Sequence, residues 1–85
     1  MTDEEYTGRV VERVVNRGSK SEYRAAFLET RGGTLRLWRP AGPHFTDPVL
    51  LRLVGSVVRC RGRVENRRLV LTSWKKVESN MGSDP

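Results

Sequence analysis

Between residues 21 and 39 the chain alternates with a period of two on both sides of a glycine turn. That pattern restricts the stretch to a pair of half-buried strands, because successive side chains on a strand point to opposite faces. In the first run Tyr23, Ala25 and Phe27 share one side, while Arg24, Ala26 and Leu28 take the other. In the second, Thr34, Arg36 and Trp38 oppose Leu35 and Leu37. With Arg24 at the start of its strand, the leucine side is apolar and faces a core. The other side carries three aromatic rings and an arginine, an unusual choice for a face that only meets water. Rings for stacking bases beside cations for phosphates suit a single-stranded nucleic-acid platform.

The remaining segments extend the same pattern. Residues 7–15 hold four valines and no breaker after Gly8, which predicts a first strand. Residues 16–21 form a turn cluster around Gly18, and Arg31-Gly32-Gly33 is the tight turn between strands two and three, where glycine supplies positive φ. Pro40-Ala41-Gly42-Pro43 interrupts regular structure. Asp47-Pro48 ahead of an apolar run then predicts a helix with Asp47 as N-cap, about two turns long and stopped by Gly55. The alternative, one continuous strand over residues 49–58, conflicts with the bracketing Pro48 and Gly55. Residues 56–64 alternate again, with Val58, Cys60 and Val64 opposite Arg59, Arg61 and Arg63, and a turn at Asn66 leads into a last strand over 68–77.

Strand, strand, strand, short helix, strand, strand is the element order of the OB-fold. The expected fold class is therefore all-β, a small five-stranded Greek-key barrel with one short helix between strands 3 and 4. The expected domain spans residues 7–78, between a disordered acidic tail at 1–6 and a disordered tail at 79–85.

Gly8-Arg9-Val10, the block from Ala25 through Gly33 to Leu37, the stretch from Leu53 through Gly62-Arg63-Val64, and the pair Leu69 and Leu71 together resemble the tRNA-anticodon-type OB family. The resemblance covers roughly residues 7–78 and places Leu28, Gly33, Leu35 and Leu37 where that family keeps core residues and a turn glycine. It implies single-stranded nucleic-acid binding. Two base-reading positions of the family's synthetase members fall on Ala25 and Arg36; alanine there replaces a stacking ring, and Phe27 and Trp38 on the same face are the substitutes. The aromatic-glycine motifs of cold-shock domains are missing, as is a synthetase catalytic region.

Charge points the same way. The net charge is +6, with 13 arginines against 3 lysines. Outside residues 1–5 and 79–85, 16 basic residues face 6 acidic ones. Arginine forks phosphates and stacks on bases where lysine does neither, and a small domain this basic suits nucleic acid or an acidic protein. Arg59, Arg61 and Arg63 share a face of the fourth strand, and barrel closure is expected to bring Arg9 and Arg13 beside them as a phosphate-tracking ridge. Arg67 and Arg68 in the last hairpin are expected to grip the strand's end, with weaker contributions from Lys20, Lys75 and Lys76. Trp74, where the last strand leaves the barrel, reads as structural.

Other chemistries find little footing. One cysteine and one histidine build neither a disulfide nor a tetrahedral metal site; Cys60 faces inward as a small core residue, and His44 sits in a proline loop. Neither a glycine-rich phosphate loop nor a nucleophile–base set is visible, so the expectation is no enzyme and no cofactor. The acidic start, the absence of an apolar run after it and the single cysteine suggest a cytoplasmic protein off the membrane, a monomer or weak homodimer. The expected function is binding of single-stranded DNA or RNA through Tyr23, Phe27, Arg36, Trp38 and the arginines named above; a translation accessory bound to RNA is a variant of it. The alternative is an adaptor subunit whose aromatic face docks a protein in a larger assembly.

Overall fold

A computed structural model describes residues 3–43 and 46–77. The expected barrel is what these residues form. Five strands, β1 (Glu4–Val15), β2 (Tyr23–Thr30), β3 (Gly33–Trp38), β4 (Val57–Glu65) and β5 (Arg68–Lys76), close in the order β1-β2-β3-β5-β4, with α1 (Pro48–Leu51) between β3 and β4. Every junction is antiparallel except β3–β5, a short parallel seam pairing Arg36 with Arg68, Leu37 with Leu69 and Trp38 with Val70.

β1 closes the barrel because it is long enough to serve two neighbours. Its first half, Glu4 to Arg9, pairs with β4, and its second half, Arg9 to Val15, pairs with β2. The strand changes partner beside Gly8, where a Cβ would lie 2.0 Å from the Glu29 carbonyl oxygen. Gly62 answers it on β4, next to a register shift, where a Cβ would lie 2.0 Å from the Val70 carbonyl oxygen. Only glycine lets the backbones approach this closely as the sheet bends.

The expected start at Thr7 and the disordered tail at 1–6 are corrected at this junction: Glu4, Glu5 and Tyr6 belong to β1, opposite Gly62, Arg61 and Cys60. Backbone pairing with β4 holds them in the strand despite their poor strand propensity. Residues 1–2 and 78–85, which include the second predicted tail, lie outside the described residues.

The interior is the leucine side of the alternation. Leu28, Leu69, Val10, Val58 and Cys60 are fully buried, joined by Ala26, Leu37, Leu71, Leu50 and Leu53. Leu35 and Trp74 are half-buried and pack against this cluster, so Trp74 is structural as expected. Leu50 and Leu53 plug one end of the barrel.

The helix is one turn rather than two. Asp47 caps it as expected, its carboxylate accepting from the Val49 N–H at 3.0 Å. Beyond Leu51 the chain tightens into hydrogen bonds spanning three residues, Leu53 to Leu50 and Val54 to Leu51, before Gly55 turns at φ +91°. Such tighter turns satisfy terminal carbonyls in few residues.

Candidate functional site

The register of the first hairpin determines what the barrel shows to solvent. Val11 of β1, Phe27 of β2, Arg36 of β3 and Arg68 of β5 stand side by side in one row across four strands. Tyr23 pairs with Val15 near one end of the same outer face, and Trp38 pairs with Val70. Tyr23, Phe27 and Trp38 are each half-buried. Ring surface is therefore presented without being free to swing.

Guanidinium groups hold two of the rings. The Arg36 guanidinium carbon lies 5.2 Å from the centre of the Tyr23 ring and 5.3 Å from that of Trp38. Arg68 comes over Trp38 at 4.5 Å. Each contact of this kind is worth roughly 0.5–2 kcal/mol, more as water is excluded. The Arg68 contact depends on the parallel β3–β5 seam, which pairs strands separated by the helix, and no local pattern in the sequence shows it.

Ala25 departs from expectation. It lies on the aromatic side by alternation, yet it is only 4% exposed. It belongs to a narrow crevice with Arg36, Trp38, Arg39 and Pro43, and a methyl group is too short to emerge among such neighbours. Ala25 is thus a floor under the face and offers no contact surface.

Beneath the same face sits a polar brace that the sequence reading missed. The Arg39 Nε and Nη2 donate to Asp47 at 2.9 and 3.0 Å, in a two-pronged fork. Asp47 is the one buried charged residue among those described. Burial pushes its carboxyl pKa up, but the hydrogen bonds from Arg39 and from the Val49 N–H outweigh that and hold it below the ordinary value. An acidic N-cap was legible; its partner eight residues upstream, across a proline loop, follows no periodicity.

The expected arginine ridge forms only in part: the β1–β4 register sets Arg9 diagonally beside Arg59, and Arg13 lies elsewhere. β1 meets β4 only through residues 4–9, so Arg59 stands between Thr7 and Lys75, and Arg61 between Glu5 and Ser73. Arg9 pairs with Val57 and Glu29 and reaches the Gly55 carbonyl at 3.5 Å. Arg13 is carried to the β2 side, opposite Ala25, and bridges Glu29 at 3.5 Å. Acidic residues are interleaved with these arginines: Glu5 opposes Arg61, and Glu65 pairs with Arg63, raising the arginine pKa chiefly through their hydrogen bond. Arg63 itself pairs with Val70, one strand from Trp38. The structure therefore sorts the arginines into two sets. Arg36, Arg68 and Arg63 attend the aromatic face; Arg9, Arg59 and Arg61 neighbour one another on the β1–β4 side, and Arg13 stands apart on the β1–β2 side.

Arg67 occupies the second central position of the β4–β5 turn. Asn66 and Arg67 both have positive φ, 51° and 65°, as in the tight hairpin turns that normally place glycine second. A long side chain there is strained, and this arginine borders an open groove.

Among the described residues no group of His, Cys, Asp or Glu could hold a metal, and no helix is long and apolar enough to cross a membrane. His44 lies outside the described residues. Burial raises the Cys60 thiol pKa to about 11, which leaves it protonated and inert.

Taken together, fold and surface define a small closed β-barrel with an aromatic, arginine-stacked outer face on β2, β3 and β5. No family model matches the chain, and the searches of curated proteins and of solved structures likewise return no match.

Proposed function

We propose that this chain is an OB-fold module that binds single-stranded DNA or RNA with little sequence preference. The reading is carried by one observation: three half-buried rings, Tyr23, Phe27 and Trp38, share an outer face on which the Arg36 and Arg68 guanidinium groups stand over two of them at 4.5–5.3 Å. Aromatic planes accept any base, because every base has a π-face, and arginine planes extend the stack. Strand order and resemblance to the anticodon-type OB family support the same reading.

In this scheme Phe27 and Trp38 stack bases, while Tyr23 backs Arg36. Arg68 and Arg63 meet phosphates beside the rings, with Arg67 at the hairpin tip. Arg9, Arg13, Arg59 and Arg61 add long-range attraction under the net charge of +6. The polar brace of Arg39 and Asp47 keeps the floor rigid.

The test is fluorescence titration at low salt with oligo-dT and with mixed-sequence RNA. Binding should quench Trp38, and log K should fall linearly with log salt as phosphate contacts release counterions. Trp38→Ala should weaken binding about tenfold, within the ~1–3 kcal/mol of one stacked base, while Trp74→Phe leaves affinity unchanged. No binding of either ligand at low salt would end the reading.

A further inference from the structure

At the end of the barrel opposite α1, the interior opens into a groove of about 580 Å³. Tyr6, Leu35 and Val64 supply its apolar walls, and Thr34 and Arg67 stand at its rim. Several facts mark it as more than an unfinished core. Tyr6 and Leu35 pack against the core yet remain part-exposed, and Val64, inward by its pairing with Leu69, is 42% exposed. The Tyr6 hydroxyl donates to Glu4 at 2.9 Å, which fixes the ring by its edge. The strained Arg67 is the one cation among the described residues lining the groove, beside Thr30 and Thr34. Small barrels fill their mouths with side chains; this one plugs the α1 end with Leu50 and Leu53 and leaves the other end open.

The opening also continues the outer face. Leu35 precedes Arg36, and Arg67 precedes Arg68, so both sides of the groove run directly into the row that carries Phe27, Arg36 and Arg68, with Trp38 two residues beyond Arg36 on β3. A bound strand leaving the aromatic face along β3 meets this mouth next.

We propose that the groove receives one nucleobase, at the end of a strand bound on the aromatic face. The base lies against Tyr6, Leu35 and Val64, with its phosphate on Arg67. The occupant follows from what lines the site. A flat apolar group is needed for the ring and the two aliphatic walls, an adjoining anion is needed for Arg67, and a volume within the ~300–1,000 Å³ of small-ligand sites exceeds one methyl-bearing side chain. A nucleotide combines both groups in one ligand. This inference rests on the reading above, which places a strand on the face; it adds a subsite built from residues outside that face.

The experiment is a thermodynamic cycle between Tyr6 and the length of the ligand, measured by anisotropy with labelled oligo-dT. Oligonucleotides are shortened one nucleotide at a time until the step that costs most is found. Tyr6→Leu keeps an apolar wall and removes the ring; Tyr6→Phe keeps the ring and serves as its control. Tyr6→Leu should weaken binding of the longer oligonucleotide about tenfold, leave the shorter one unchanged, and so abolish the length step. Tyr6→Phe should retain that step, and chemical-shift changes at Leu35 and Val64 should appear only with the longer ligand. Val64→Glu, with its folding verified by thermal melt, should reproduce the loss. If oligonucleotides bind with Trp38 quenching but the length step is the same in Tyr6→Leu, the groove holds no base and the inference is overturned while the face reading stands. If no oligonucleotide binds the unaltered protein, both fall together.

Discussion

Replacing Arg39 by methionine tests the brace beneath the aromatic face, and the structure sets both the size and the order of its effects. The substitution removes two charge-assisted hydrogen bonds from a carboxylate only 6% exposed and leaves Asp47 with its cap bond to Val49. An ion left buried without its counter-charge costs ~3–5 kcal/mol. The Arg39 side chain is 24% exposed, so water reaches the vacated position and the lower end, about 3 kcal/mol, applies. Asp47→Ala is the gentler change although it removes the capping residue. Arg39 then turns its head to solvent, and the loss is about 1 kcal/mol for the cap. Equilibrium urea unfolding at pH 7 should therefore rank Arg39→Met well below Asp47→Ala. The pH dependence supplies a second check. In the unaltered protein the Asp47 pKa is lowered, so its contribution is complete above the ordinary carboxyl range, about pH 4, and is lost as pH falls through the depressed folded value. In Arg39→Met burial is opposed only by the cap, the Asp47 pKa rises, and protonation relieves the variant. The gap between the two proteins should shrink from pH 7 to pH 3. Equal costs for the two substitutions, or a gap independent of pH, would refute the reasoning.

Further expectations follow from single positions. Gly62→Ala and Gly8→Ala each thrust a Cβ to within 2.0 Å of a backbone oxygen, and each should cost about 2 kcal/mol or more, as overpacking does when backbone cannot yield; thermal melts decide. Arg67→Gly should raise stability by roughly 1 kcal/mol by relieving a left-handed φ, while weakening oligonucleotide binding, a trade visible by pairing melts with anisotropy. Cys60, fully buried with its pKa raised to about 11, should react with a thiol reagent only as fast as the barrel opens, and at once in denaturant.

The parts of this fold that a linear reading recovers are those governed by local period and local caps. Alternation placed Leu28 and Leu37 inside and Phe27 and Trp38 on the outer face, and an aspartate before a proline located the helix start. Three features lay beyond it. The start of β1 was invisible because Glu4 and Glu5 are poor strand formers, held there by pairing with residues nearly sixty positions away. The arginine arrangement depended on which half of β1 meets β4, a matter of closure geometry rather than of period. Arg68 reaches Trp38 through a parallel seam between strands that the helix separates, and Ala25 disappears beneath larger neighbours although its parity faces outward.

The dual pairing of β1 also has a consequence for biosynthesis. Glu4 finds its strand partner only when Gly62 has been made, so until then the first half of β1 is an unpaired edge able to recruit another chain. The second half can zip onto β2 much earlier, through nearest-neighbour contacts. Closure is therefore a late, single event: the molecule passes from a curled open sheet to a ring without ends when two segments far apart along the chain meet.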